Sequence, residues 1–361
     1  MDDATGTGPL SGMRVVELAA IGPVPHACMM LADLGAEVIR VDRPDSTRAY
    51  ATWHRILDRG RHSVTLDLKT PHGVAGLLRL AQDADVLVEG FRPGVAERLG
   101  IGPDICRARH PGLVYARMTG WGQSGPLAQH PGHDINYIAL SGALHAIGEP
   151  GGPPVAPLNL LGDFAGGGML LVCGILAALW ERQRSGLGQT VDTAIVDGTA
   201  SLLAMLLAMT SGGSWHERRG HNLLDGGAPF YTVYACADGR HIAVGALEEQ
   251  FYTALLQGLG LDPSTLPHRD DPANWPALKA AFAARFSRRT RDDWAAHFEN
   301  TEACVTPVLS LTEAPAHPHL RARGTYTETG PAPAPRFDRT PAAPPPPPDP
   351  GRPPHQAAAR P

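Results

Sequence analysis

Within "QHPGHDINYIALSGAL", residues 129–144, His133 and Asp134 stand side by side just after a Pro-Gly turn and ahead of an apolar segment. Thirty residues on, "NLLGDFAGGGMLL" sets another acid, Asp163, at the mouth of a glycine run. Histidine titrates near neutrality and is the natural general base there, although any one of 16 histidines is more often a loop or core residue. Asp134 would orient a ring or cap a turn. An aspartate ahead of a helix is ordinarily its N-cap, accepting from the first free N–H groups, and that is the ordinary reading of Asp163. Yet Gly166, Gly167 and Gly168 are poor helix formers for a first turn, an arrangement that weakens the helix unless something must approach its backbone closely. A carboxylate beside exposed N–H donors would take a proton next to a carbonyl while the donors hold the resulting enolate.

Other polar residues carry weaker signals. Glu248 and Glu249 in "GALEEQFY" read as surface or first-turn residues. Only two lysines, Lys69 and Lys279, stand among 31 basic residues, and Lys69 in "LDLK" follows a strand. Arg40, Arg92 and Arg98 fall at strand ends or just beyond, where an open α/β sheet binds ligands, and together they suggest a phosphate-bearing ligand. Met205 and Met209 lie at helical spacing in an apolar stretch, for which core packing is the default.

The elements that must position these residues follow from the hydrophobic pattern. "MRVVELAAIGPVPHACMMLADLGAEVIRVDRP" predicts a strand over 13–18, a helix from about His26 to Leu34 ended by Gly35, and a strand over 37–42, a β-α-β unit. Further strands are expected at "HSVTLDL", "DVLVEGF" and "GLVYARMTG", with a helix over about 72–82, so parallel strands with helical crossovers are the natural reading. The first turn carries "AAIGPV" in place of G-x-G-x-x-G, and Arg40 and Arg43 stand where a nicotinamide site wants an acid, so a Rossmann-like half is expected without NAD. A long helix is expected from 164 to about Arg184, then "QTVDTAIVDG" as a strand entering the apolar helix "TASLLAMLLAM". Strands around "ADGR" and short helices to about 300 suggest a second domain. The expected fold class is therefore α/β, a Rossmann-like large domain with a parallel sheet plus a smaller α+β domain. The expected divisions are 1–200, a linker over 201–224, a small domain over 225–315, a return linker over 316–340 and a proline-rich, disordered tail over 341–361.

Composition narrows the function classes. At 361 residues, 43% of them hydrophobic, the chain can bury a large core. A net charge of −5 without an arginine stripe argues against a nucleic-acid partner. The apolar run "MLLVCGILAALW", 169–180, is too short to span a bilayer, and "MDDATGTG" lacks a signal peptide's regions, so a soluble, cytoplasmic protein without membrane insertion is expected. Five scattered cysteines without a CxxC pair suggest free thiols and no metal site.

In order, "LSGMRVVELAAIGPVPHACMMLADLGAEVIRVDRP", "VTLDLK", "EGFRPGVAERLG", "YARMTGWGQSGP", "GHDINYIALSGALHAIG", "NLLGDFAGGG", "LDGGAPFY" and "VGALEEQFY" closely resemble the family III CoA-transferases, and among them the 2-methylacyl-CoA racemases. The resemblance runs from about Pro9 to about Thr340. It implies an interlocked homodimer with each active site between one subunit's large domain and the other's small domain, an acyl-CoA thioester substrate, and racemisation at its α-carbon with no separate cofactor. It implies that His133 and Asp163 are the two catalytic bases and that Glu248 supports the histidine. It also implies CoA or substrate contacts from Arg40, from Leu66, Asp67, Leu68 and Lys69, from Gly90, Phe91 and Arg92, from Arg98, and from Gly132, Asp134, Ile135, Asn136 and Tyr137. The chain departs from the family in ending "GRPPHQAAARP" instead of a helical segment, and in Glu249, where relatives often carry proline. Two other readings stay open: a CoA-transferase with Asp163 as nucleophile, and an inert CoA-binding protein.

Overall fold

The computed structural model describes residues 7–44 and 55–343, which form two compact units. The first holds the described residues through Ser141, then Pro157–Leu202, and those from Gly324 on. Its centre is a six-stranded parallel sheet of β1 (Arg14–Leu18), β2 (Glu37–Asp42), β3 (Arg61–Thr65), β4 (Val86–Glu89), β5 (Val114–Thr119) and β6 (Thr190–Ala194). The order is β3-β2-β1-β4-β5-β6, so the chain reverses direction across the sheet between β1 and β4, the point where open α/β sheets bind ligands. Val16, Val86, Leu87 and Val88 are wholly buried because a parallel strand covered on both faces has no solvent side to make polar. The expected Rossmann-like, parallel α/β architecture is thus present.

Several elements differ from the sequence reading. The first helix begins at Pro23, whose fixed φ suits a helical first turn, three residues ahead of His26. β3 stops at Thr65, where Asp67 closes a turn by accepting from the Lys69 N–H at 3.0 Å. The long helix does not start behind Asp163: a π-helix covers Leu160–Met169 and runs directly into the α-helix Leu170–Ser185. The combined stretch is long and apolar enough to cross a membrane by length and composition, where the sequence reading counted a shorter run. In this unit it packs against the first helix, β5 and β6, which accounts for its buried apolar residues, while Leu160, Met169 and Trp180 stay exposed.

The second unit comprises Gly142–Ala156 and Leu203–Arg323. β7 (Tyr231–Ala235), β8 (His241–Gly245) and β9 (Val305–Pro307) form an antiparallel sheet, with "ADGR" in the β7–β8 turn. Helices Glu249–Leu259, Trp275–Phe286 and Arg291–Phe298 cover it with an aromatic core that includes Phe282, Phe286, Trp294 and Phe298. Gly142–Ala156 joins this unit because the Arg219 guanidinium donates to the carbonyls of His145 and Gly152, at 2.9 and 2.7 Å. The helix Ala204–Ser211 buries none of its residues and Met205 is 56% exposed, so core packing does not explain this methionine. Residues 344–361 of the proline-rich tail lie outside the described residues.

Candidate active site

Most of the expected site residues of the first unit follow the carboxyl ends of its strands. Leu66–Lys69 come after β3, Gly90–Arg92 after β4, Arg98 ends the short helix Val95–Arg98, and Gly132–Tyr137 lie in the crossover beyond β5. Gly90 is where the ends of β1 and β4 meet: a Cβ there would press on Ala20 and Val24 at 3.2 Å. Lys69, Arg92 and Arg98 are exposed, as a ligand contact requires.

His133 precedes the helix Asp134–Leu140 in extended conformation and is exposed, and its N–H donates to Asn136 Oδ1 at 3.0 Å. Asp163 sits within the π-helix, with its carboxylate half-buried. Burial, and then the like charge of Asp134, push its pKa up to about 6; a hydrogen bond from Asn159 and the nearby His133 act in the opposite direction. The structure therefore brings His133 and Asp163 within electrostatic reach of one another. Asp134 is buried, with 7% of its surface exposed, and its Oδ2 accepts the Asp163 N–H at 2.6 Å and also faces Gly162.

This geometry corrects two sequence expectations. Asp163 is not an N-cap, since the helix has already begun at Leu160 and Asp134 serves its opening amides. The glycine run does not expose donors either: Gly166, Gly167 and Gly168 are all buried. A Cβ at those positions would lie 2.8 Å from Thr199, 2.9 Å from Pro23 and 2.5 Å from His26, so the glycines permit close helix packing.

Three contributors escaped the sequence reading. Gly22, in the β1 turn at φ 71°, lies so near the Asp163 carboxylate that a Cβ would sit 2.9 Å from its Oδ2. Asn159 hydrogen-bonds the same carboxylate, and Leu158 before it holds a left-handed φ of 60°, a conformation that L residues adopt only under local constraint. Glu89, wholly buried, accepts from the Phe91 N–H at 2.5 Å and from Arg117 at 2.9 Å, and so fixes the turn after β4. The "IGP" turn was the only visible signal for Gly22; nothing local marked Glu89.

Arg40 occupies a more enclosed setting than a surface phosphate contact. Its guanidinium reaches Asp42 at 3.1 Å and Asp58 at 2.6 Å, with 8% of the side chain exposed. Arg61 pairs with the wholly buried Glu17 in the same cluster. Tyr137 packs edge-on against Trp121 at 4.7 Å between centroids and donates its hydroxyl to the Gly132 carbonyl. Glu248 belongs to the second unit, where it is exposed and precedes the helix Glu249–Leu259.

Most of these first-unit residues gather beyond the carboxyl ends of the parallel strands, and a family model of CoA-transferase family III matches residues 10–353. The chain belongs to CoA-transferase family III. Similar family III proteins include the α-methylacyl-CoA racemases of mouse and human, 49% and 48% identical over 346 residues, covering 94% of this chain and 90% of each relative. An acetyl-CoA:oxalate CoA-transferase of Acetobacter aceti is 33% identical over 90% of this chain and 86% of its own length. A CAIB/BAIF family protein from Brucella suis has a similar crystal structure, with a TM-score of 0.82 at 28% identity over 94% of this chain and 95% of that one.

Proposed function

We propose that this family III protein is an α-methylacyl-CoA racemase, interconverting (2R)- and (2S)-2-methylacyl-CoA thioesters. The observation that carries the reading is His133 within electrostatic reach of a half-buried Asp163 carboxyl raised to about 6, a group suited to take up and release a proton near neutrality. The close likeness to the mouse and human racemases supports it.

A thioester α-proton is acidic because the electron pair it leaves delocalises onto the carbonyl oxygen. With the α-carbon between the bases, one takes the proton and the enolate forms; the other, already protonated, returns a proton to the opposite face. The bases exchange roles with the configuration of the substrate, so no redox step enters and no separate cofactor is assigned. Charge on the enolate oxygen needs preorganised donors, and the opening amides of Asp134–Leu140 beside His133 are the candidates. Glu248 is assigned to support the histidine. The residues after β3 and β4, with Arg98, are assigned to CoA, whose remote binding energy positions the α-carbon. Arg40, Gly132, Ile135, Asn136 and Tyr137 complete the assigned substrate contacts. The protein is read as a cytoplasmic homodimer without membrane insertion.

The test is incubation with a panel of 2-methylacyl-CoA esters in D2O, following both label and configuration. Inversion with α-deuteration in EDTA-treated protein is expected. A second reading, Asp163 attacking the thioester as a nucleophile, is favoured by the partly desolvated carboxylate and the transferase relative. CoA transfer between acids, with hydroxylamine trapping an acyl group on Asp163, would replace the racemase reading.

A further inference from the structure

We propose that Asp134 is a positioning residue that ties the two bases to one another, since it follows His133 in the chain while its carboxylate holds the backbone of Asp163. The inference rests on the racemase reading for the meaning of the two bases, and its geometry stands apart from the ligand contact expected of Asp134. The Oδ2 atom accepts the Asp163 N–H at 2.6 Å, and the neighbouring Gly162 amide bonds the same carboxylate. A side chain at Gly162 would overlap Asp134 Oδ2, so the close approach depends on glycine there. The other oxygen, Oδ1, is buried without a hydrogen-bond partner, and burial raises the Asp134 carboxyl itself above the usual range, so its charge acts on Asp163 most fully toward the upper end of the pH range. Asp134 itself is 7% exposed, too enclosed for solvent to screen that field.

Two consequences follow. Removing the carboxylate altogether frees both opening amides of the π-helix and lets Asp163 drift relative to His133. Removing only its charge preserves the tie but relieves the repulsion that favours the protonated form of Asp163, so that group titrates lower. The other groups around Asp163 are accounted for. His133 and Tyr137 lie on the Asp134–Leu140 side, and Asn159 donates to the carboxylate. On the first helix, His26 stacks on Phe164 with ring centroids 4.4 Å apart. The helix Ile195–Leu202 brings Gly198 and Thr199 against Gly166, and its one titratable residue, Asp197, is exposed. From β6, Asp192 accepts the Gln123 N–H. Asp134 is thus the one acid bonded to the Asp163 backbone among the described residues.

The experiment compares Asp134→Asn and Asp134→Ala in the full chain. Racemisation is followed from pH 4.5 to 8.5, and the Asp163 carboxyl is titrated by 13C NMR without substrate. Asp134→Asn is expected to lower kcat at pH 7.5 far less than Asp134→Ala does, because the amide oxygen can still accept the Asp163 N–H. At pH 5 it retains a two- to fivefold larger share of its plateau rate than wild type, since a like charge nearby is worth on the order of one pH unit. The NMR titration of Asp163 moves down with it. Asp134→Ala is expected to lose roughly a hundredfold in kcat at little change in KM, as misplacement of a reacting group by about 1 Å does. An unmoved Asp163 titration in Asp134→Asn, or losses confined to KM in either variant, would overturn the inference. The NMR arm needs no turnover, so a wild-type protein that fails to racemise sinks the functional reading while leaving the coupling of Asp134 to Asp163 to be decided on its own.

Discussion

Gly22→Ala is the sharpest probe of how Asp163 is held. The new Cβ would lie 2.9 Å from Oδ2 and 3.3 Å from Cγ of Asp163. Carbon contacts settle near 3.5 Å, so the carboxylate must retreat by about 0.5 Å. If a displacement of about 1 Å costs a hundredfold in rate, half that distance corresponds to about tenfold. The backbone at φ 71° and ψ −115° lies in a region essentially confined to glycine, so alanine there also adds strain of about 1–3 kcal/mol and lowers stability. The assay is α-proton exchange in D2O in two backgrounds. With His133→Ala, Asp163 is the base left to exchange the proton, and adding Gly22→Ala is expected to slow exchange about tenfold. With Asp163→Asn, His133 does the work, and the same addition is expected to change exchange less than twofold. Equal losses in both backgrounds would refute the argument, because the glycine would then support the whole site and not the carboxylate.

The two single-base variants should themselves divide the substrate: His133→Ala incorporates deuterium with retention into one epimer and Asp163→Asn into the other, whereas continued inversion by either removes the two-base assignment. Asp163 also links stability to pH. Its folded pKa, about 6, lies above the usual carboxylate value of 3.8, so its favourable contribution is fully present below pH 4 and is lost as pH rises through 6. Asp163→Asn should therefore raise Tm at pH 7.5, by the equivalent of about 1–3 kcal/mol, and lose that advantage at pH 4; a gain independent of pH would show that the carboxylate is not disfavoured by burial. Arg40→Ala removes a buried guanidinium from Asp42 and Asp58 and should destabilise the fold, by up to roughly 3–5 kcal/mol in urea unfolding. In the fraction that remains folded, a loss of affinity greater for CoA esters than for pantetheine thioesters would mark Arg40 as a nucleotide contact, and equal losses would confine it to the internal charge cluster.

The parallel sheet was legible because its inner strands are largely apolar on both faces and its crossover helices carry their own stops, as with Gly35 after the first helix. His133 and Asp163 were singled out through residue type and motif, and the structure brings them within electrostatic reach of one another. What local pattern could not reveal was the job of the glycines at 166–168: a glycine run signals that something approaches the backbone, but not whether that something is a ligand or another helix. Here Thr199, Pro23 and His26 fill the space. The π-helix start was hidden for a related reason, since Asp163 has the type and position of a cap, and only the Asp134 carboxylate arriving from a different helix relieves it of that duty. Likewise nothing in "GALHAIGEPGGPPVA" announces that Arg219, more than sixty residues later, will claim its carbonyls.

The chain passes between its two units after residues 141, 156, 202 and 323, so the first unit is written in three separate stretches. During synthesis, β1 to β5 emerge together, but β6, which borders β5, arrives only after the excursion over 142–156 and the π-helix that carries Asp163. A nascent sheet therefore waits with β5 as an open edge, a row of unpaired amides and carbonyls able to recruit a neighbouring chain. The last stretch of the unit follows the entire second unit, so no single proteolytic cut or truncation separates the two into contiguous pieces. Any attempt to graft His133 and Asp163 with their supports onto another protein must move discontinuous segments together, and the yield of correctly folded protein should depend on how long that edge stays uncovered in the cell.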